Sequence, residues 1–211
     1  ARRRRTRSWH EDVAKPTRSA NTLLVIDALE SLGVPYFIGG SLASAVHGVV
    51  RATMDVDMVA DLRLEHVGPL VRILGDAFYA DAEMMRAAVR QRRSFNVIHL
   101  ETMFKVDVFI RKERPFDQAQ FERRVLQTMS TDPERTAYVA SAEDTILAKL
   151  EWYRMGGQTS DRQWRDVQNV LKVQEARLDL PYLRHWAAQL GVPDLMERAL
   201  SEAEYQAQGD V

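Results

Sequence analysis

The sequence predicts an α+β fold in which a core containing a β-sheet is followed by a helical C-terminal region. Two observations support this prediction. Up to about residue 110, short runs rich in β-branched and aromatic residues alternate with segments of helical periodicity. From Ala142 onward, the pattern is almost entirely helical. We therefore divide the chain into a basic segment at residues 1–17, a core at 18–140 and a helical region at 141–211.

The composition is that of a globular protein, with 45% hydrophobic and 28% charged residues among 211. The absence of cysteine excludes thiolate catalysis, Cys-ligated zinc and iron–sulfur clusters. No apolar run approaches the roughly 20 residues of a membrane helix. The first residues also lack the apolar segment of a secretory signal. We therefore expect a cytoplasmic protein without a membrane partner.

The segment 1–17 is predicted to be a flexible basic arm. Its arginines are Arg2, Arg3, Arg4, Arg5 and Arg7. Because the whole chain has a formal charge of −1, the rest of the chain is acidic. A basic arm on an acidic body is able to bind RNA phosphates through counterion release. The alternative is an unordered terminal arm without a binding function.

The first predicted elements lead to a tight turn. Residues 19–32 carry apolar side chains at helical spacing, and Gly33 ends this helix. Residues 36–38 are predicted to form a short buried strand that runs into Gly39 and Gly40. A strand-to-helix turn is therefore expected at these two glycines.

Beyond the turn, helices and strands continue to alternate. A helix of small residues is predicted at 41–49, a strand at 54–60 and a second periodic helix at 64–78. The runs 95–101 and 103–110 are rich in β-formers and are separated by a short link, so a hairpin is expected. The predicted helices of the C-terminal region are 143–154, 161–173, 180–190 and 194–206.

The strand at 54–60 carries a pair of aspartates that indicates a metal site. Because side chains alternate along a strand, Asp55 and Asp57 share one face, while Val56 and Met58 point to the other. Two like charges so close together are unfavourable unless a cation lies between them. The pattern favours a hard, oxygen-seeking ion such as Mg²⁺. A solvated strand edge is the structural alternative.

Asp107 provides a third carboxylate on an apolar strand, with Val106 and Val108 facing away from it. An unpaired charge in such a strand would be unfavourable, which favours a functional role. Three carboxylates on neighbouring strands are able to hold two magnesium ions, one on a nucleoside triphosphate and one on an attacking hydroxyl. Asp107 is then expected to lower the pKa of the hydroxyl or to accept its proton.

Gly39, Gly40 and Ser41 are candidates for phosphate binding. Without Cβ atoms, the backbone N–H groups are able to approach phosphate oxygens, and Ser41 adds a hydroxyl at the positive end of a helix. An ordinary glycine turn is the alternative. The position of these residues upstream of the paired aspartates is what phosphate transfer requires.

The three motifs together resemble the DNA polymerase β-like nucleotidyltransferase superfamily. They are Ile38-Gly39-Gly40-Ser41, Arg51-Ala52-Thr53-Met54-Asp55-Val56-Asp57 and Val106-Asp107-Val108. Within the superfamily, the sequence looks most like the AbiEii/MenT-type toxin nucleotidyltransferases and their bacterial relatives. The resemblance spans roughly residues 20 to 172. It implies a minimal nucleotidyltransferase fold, in which a mixed β-sheet is flanked by helices and followed by a helical C-terminal region.

The resemblance also implies roles for residues outside the three motifs. Lys149 matches a helical lysine that would bind the triphosphate, and Asp166 matches an aspartate that would support the nucleotide pocket. From the residues alone, a lysine on an apolar helix face either extends to solvent or is paired. Arg51 and Thr53 would brace the metal-binding loop in the relatives, the alternative being ordinary loop hydrogen bonds.

The expected activity is transfer of a nucleoside monophosphate (NMP) from a nucleoside triphosphate (NTP) to an acceptor hydroxyl, with release of pyrophosphate. The resemblance favours tRNA or a protein as the acceptor, and a toxin role with an antitoxin partner. One alternative is a small-molecule nucleotidyltransferase of the aminoglycoside-modifying kind. A second is a nucleotide-binding module of the same fold without catalysis, which the three intact aspartates, Asp55, Asp57 and Asp107, disfavour.

Overall fold

A computed structural model describes residues 18–49, 55–131 and 133–209. The strands in these ranges are β1 (Tyr36–Ile38), β2 (Asp55–Ala60), β3 (Phe78–Tyr79), β4 (Ser94–His99), β5 (Phe104–Ile110), β6 (Val125–Thr131) and β7 (Glu134–Val139). The α-helices are α1 (Arg18–Ser31), α2 (Gly40–His47), α3 (Leu64–Leu74), α4 (Ala82–Gln91), α5 (Pro115–Arg123), α6 (Ala142–Met155), α7 (Asp161–Gln174), α8 (Leu180–Gln189) and α9 (Pro193–Gly209). The predicted basic arm at 1–17 lies outside the described residues.

The described strands form one mixed sheet in the order β3-β4-β5-β2-β1-β7-β6. Strand β2 is central, antiparallel to β1 on one side and parallel to β5 on the other. The β2–β5 register places Asp57 opposite Asp107 and Asp55 opposite Lys105. The site therefore depends on a parallel pairing between two strands that are separated along the chain by α3, β3, α4 and β4.

One face of the central strands is the main hydrophobic core. Val56, Met58, Val106 and Val108 are all buried there. Helices α1, α3 and α4 contribute buried apolar side chains to the same cluster. The alternating residues of β2 and β5 point to the opposite face and are only partly buried. The sheet thus separates an apolar core from the charged face on which the aspartates lie.

A second hydrophobic cluster joins helices α6 to α9. Its buried residues include Ile146, Leu150, Val167, Leu183 and Met196. Helix α2, which follows the glycine turn, packs against both α6 and α7. The helical region is therefore in contact with the turn beside the aspartates. The boundary near residue 140 stays a prediction.

The structure confirms the predicted α+β fold with a mixed sheet and a helical C-terminal region. Strands β4 and β5 pair as antiparallel neighbours, as the hairpin prediction required. The predicted helix at 64–78 is wrong at its C-terminal end. Helix α3 ends at Leu74, because Gly75 adopts a φ of 54° that leaves the helical region, and Phe78 starts β3.

Elements α4, α5, β6 and β7 lie where the sequence pattern gave no prediction, and β3 begins at the last residue of the predicted helix 64–78. Helix α4 has only six apolar residues among its ten, three of them alanines, and it buries only Met85 and Ala88, so its apolar stripe is narrow. Strand β6 forms one edge of the sheet and has a mixed polar sequence. None of the described helices is long and apolar enough to cross a membrane.

Candidate active site

The structure places the three predicted aspartates on one face of two neighbouring strands. Asp57 of β2 lies opposite Asp107 of β5, and Asp55 lies two residues before Asp57 on the same face. Neighbouring strands are about 4.8 Å apart, so the carboxylates of Asp57 and Asp107 are within interaction distance. All three side chains are partly buried. The strand periodicity that predicted this shared face is confirmed.

Asp57 is at the centre of this acidic group. Burial raises the pKa of its carboxyl above the usual range, and the negative charges of Asp55 and Asp107 raise this pKa further. The positive charges of Lys149 and Lys105 lower the pKa of Asp57. A carboxylate in this environment is stabilised by any additional cation that reaches it.

Lys105 completes the charged face. It lies opposite Asp55 in the register and two residues before Asp107, and its Nζ is 2.7 Å from Oδ2 of Asp107. The hydrogen bond to Asp107 raises the pKa of Lys105, and the charges of Asp107, Asp55 and Asp57 add to this effect. Two residues on each strand thus form a square of four charged side chains, three acidic and one basic.

The charged face offers carboxylate oxygens, but they do not converge on one point. In the described part of the chain, no three His, Asp or Glu side chains are placed so that together they could hold a metal ion. Oδ2 of Asp107 instead contacts the ammonium of Lys105. The donor chemistry suits a hard divalent cation. A cation that binds at Oδ2 of Asp107 would take the place of this ammonium.

The glycine turn packs directly against Asp57. The backbone N–H of Gly39 donates a hydrogen bond to the backbone oxygen of Asp57 at 2.9 Å. Gly40 has a φ of +56°, and a Cβ added there would lie 1.8 Å from Oδ2 of Asp57. A Cβ added at Gly39 would meet only Phe37, at 3.9 Å. Gly40 is therefore required by its backbone conformation and by its contact with Asp57.

Ser41 follows this turn in the first turn of α2, and an arginine from the helical region reaches it. Nη2 of Arg162, near the start of α7, donates a hydrogen bond to Oγ of Ser41 at 3.0 Å. Arg162 is exposed, so its guanidinium is also accessible to an anion at the turn. Sequence reasoning did not identify Arg162, because 121 residues separate it from Ser41 and no local motif connects the two.

The predicted residues Lys149 and Asp166 form an ion pair between α6 and α7. Nζ of Lys149 lies 2.9 Å from Oδ2 of Asp166, with side-chain exposures of 10% and 6%. The effect of Lys149 on the pKa of Asp57 places its charge near the acidic face. The paired interpretation of this lysine is therefore correct. A contact between Lys149 and a triphosphate stays a prediction.

Two predicted site residues, Arg51 and Thr53, lie outside the described residues. Besides Arg162, sequence reasoning missed Lys105 and Asn96. Asn96 of β4 lies opposite Asp107 in the sheet register and is partly buried. A signal was present for Lys105, because the period of two along β5 places it on the face of Asp107. Asn96 could be found only once the register of the hairpin was known.

Comparison with known proteins gives a fold relationship. No family model matches the sequence, and no curated protein matches it significantly. A crystal structure of ANT(2'')-Ia in complex with adenylyl-2''-tobramycin matches at a TM-score of 0.55 and 14% identity, covering 82% of this chain and 96% of that one. The solution structure of the same protein, described as an antibiotic-resistance factor, matches at a TM-score of 0.50 and 12% identity. It covers 91% of this chain and 97% of that one.

A third solved structure is an antigenic nucleotidyltransferase-like protein from Paracoccidioides brasiliensis. It has 19% identity and a TM-score of 0.47, covering 85% of this chain and 91% of that one. At such identities, the similarity to ANT(2'')-Ia concerns the fold alone. It agrees with the minimal nucleotidyltransferase fold that the sequence predicted.

Proposed function

We propose that this chain is a metal-dependent nucleotidyltransferase that transfers an NMP from an NTP to an acceptor hydroxyl and releases pyrophosphate. The observation that carries the proposal is the in-register placement of Asp57 and Asp107, with Asp55 beside them, against a glycine turn that begins a helix. The fold likeness to ANT(2'')-Ia is consistent with it.

The acidic face suits divalent cations chemically. Its donors are carboxylate oxygens, which Mg²⁺ prefers, and the like charges around Asp57 would be relieved by a cation. In this proposal Asp55, Asp57 and Asp107 hold two Mg²⁺ ions. When bound, the ions would neutralise charge on the phosphates and lower the pKa of the acceptor hydroxyl.

The remaining residues orient the reactants and move one proton. The acceptor hydroxyl gives its proton to Asp107, and its oxygen forms a bond to the α-phosphorus while the bond to pyrophosphate breaks. The turn from Gly39 to Ser41 would bind phosphate oxygens with N–H groups and a hydroxyl. Lys149 and Arg162 would supply positive charge on the helical side of the site.

Two classes of acceptor are compatible with this site. The sequence resemblance to toxin nucleotidyltransferases favours tRNA or a protein, together with an antitoxin partner. The alternative is a small-molecule acceptor, and the observation in its favour is the fold likeness to ANT(2'')-Ia, whose crystal structure contains an adenylylated tobramycin. A nucleotide-binding module without catalysis would keep NTP binding but lack transfer to any of these acceptors.

Nucleotide binding provides the first test. We expect calorimetry with each of the four NTPs to detect binding in the presence of Mg²⁺ and a large loss of affinity in EDTA, because the carboxylates then repel the triphosphate. Asp57→Asn is the matched control, because it removes the central carboxylate with little change in side-chain volume. Equal affinity with and without Mg²⁺ would contradict the metal-dependent site.

Transfer provides the second test. NTPs labelled at the α-phosphate are incubated with Mg²⁺ and, in separate reactions, with total RNA, a protein extract or aminoglycosides. Label in one fraction together with pyrophosphate release identifies the acceptor class. Binding of an NTP without any transfer would favour the non-catalytic module over the enzyme.

A further inference from the structure

Lys105 is the one member of the charged square to which the proposed reaction assigns no role. It lies opposite Asp55, and Asp107 lies opposite Asp57, so a single ammonium shares one sheet face with three carboxylates. On the other side of Lys105, the registered neighbour in β4 is Ile98, which has no charge to offer. The charges that face Lys105 from the adjoining strands are therefore those of the acidic group itself.

The contacts of Lys105 identify it as the counter-ion of this group. Its Nζ is 2.7 Å from Oδ2 of Asp107, and its registered partner on β2 is Asp55. Lys149, the other lysine near Asp57, is held by Asp166 in a pair that is almost inaccessible to solvent. The Lys105 side chain is 40% exposed, so its ammonium is able to leave Asp107 for water at little cost.

The position of Asp107 indicates what the contact does. Its Oδ2 contacts the ammonium, and within the described ranges no three acidic side chains converge on a common point. A divalent cation that binds at Oδ2 of Asp107 replaces the ammonium at this oxygen. Both cations compete for one carboxylate, because each is attracted by the same negative charge.

We infer that Lys105 is a positioning residue: its ammonium neutralises and holds Asp107 before a divalent cation binds, and the incoming cation displaces it. This inference rests on the proposed function, because it assumes that Asp107 is a metal ligand. Two opposite effects follow from removal of the ammonium. The metal-free protein loses a stabilising charge, and the affinity for the divalent cation increases, because the competitor is gone and the face is more negative.

Thermal unfolding in titrations of MgCl₂ or MnCl₂ without nucleotide tests the inference independently of activity. For Lys105→Met, we expect a metal-free Tm that is lower by less than about 4 °C and a half-saturating metal concentration that is lower by about fivefold. Lys105→Arg should have a Tm and a half-saturating metal concentration close to those of the wild type, because it keeps a cation at the position. Lys112→Met is the matched control, because it removes an exposed lysine that lies two residues beyond the end of the same strand.

The outcomes separate this inference from the proposed function. If the wild type shows no response to either metal in unfolding or calorimetry, the metal centre is overturned and the inference with it. If the wild type responds and Lys105→Met has the same half-saturating concentration, the inference alone is overturned. It is also overturned if Lys112→Met changes metal affinity as much as Lys105→Met, because the effect is then one of net charge.

Discussion

The candidate site contains two lysine–aspartate pairs with similar contact distances and different exposure to solvent. The pair of Lys149 and Asp166 joins two helices at 2.9 Å, with side-chain exposures of 10% and 6%. The pair of Lys105 and Asp107 lies along one strand at 2.7 Å, with exposures of 40% and 21%. Water competes for the groups of the Lys105–Asp107 pair and hardly reaches the Lys149–Asp166 pair. Similar contact distances therefore do not imply similar energies.

The difference in solvent exposure distinguishes a structural pair from an exchangeable one. Removing one partner of a buried pair leaves an uncompensated charge that water cannot solvate. Removing one partner of a half-exposed pair leaves a charge that water solvates at little cost. We therefore assign fold stability to the buried pair of α6 and α7, and exchange with ligands to the pair on β5.

The largest effect is expected for Lys149→Met, which removes the ammonium that lies 2.9 Å from the buried carboxylate of Asp166. The free energy of unfolding should fall by about 3–5 kcal/mol, measured by urea denaturation. The double variant Lys149→Met with Asp166→Asn should recover part of this loss, because no uncompensated charge remains. A loss below about 1 kcal/mol for the single variant would show that the buried pair is no more structural than a surface pair.

The next effect is expected at Gly40, which lies against Asp57. Gly40→Ala places a Cβ into the Asp57 side chain and forces a non-glycine residue to a φ of +56°. The free energy of unfolding should fall by about 2–3 kcal/mol, and NTP affinity should fall with it. Gly39→Ala is the matched control and should lower the free energy of unfolding by less than about 1 kcal/mol. Equal losses in the two variants would contradict the specific contact with Asp57.

Asp107→Asn should change activity far more than stability. The half-exposed ion pair contributes less than about 1 kcal/mol, and repulsion of Asp57 is relieved, so urea denaturation should show little change. Loss of the proton acceptor should lower kcat by about 10²–10⁴-fold while NTP binding is largely kept. Asp57→Asn, in contrast, should impair both NTP binding and kcat. Transfer at the wild-type rate in Asp107→Asn would make this carboxylate structural.

The smallest effect is expected for the stability of Lys105→Met, and its dependence on salt concentration distinguishes the two ion pairs. In metal-free buffer at 0.1 M NaCl, Lys105→Met should lower the free energy of unfolding by less than about 1 kcal/mol. At 1 M NaCl the difference from the wild type should vanish, because the Debye length is then only about 3 Å. The effect of Lys149→Met should persist at both concentrations. A salt-resistant effect at Lys105 would place its ion pair in the same class as the buried one.

The sequence by itself determined the local order of the site. The period of two in β2 and β5 is sufficient to place Asp55 with Asp57 on one face and to turn Val106 and Val108 away from Asp107. The apolar periodicity also predicted most helices, including the helical region after residue 140. These features depend on residues a few positions apart, and for that reason a single sequence contains them.

Only the tertiary structure decided which of these local features meet. The parallel register that sets Asp57 opposite Asp107 depends on how α3, β3, α4 and β4 pack, and no local pattern fixes that packing. The contact of Arg162 with Ser41 and the choice of Asp166 as the partner of Lys149 depend on the packing of α2, α6 and α7. Strand order and helix packing minimise the free energy of the whole chain, so they are properties of all residues together.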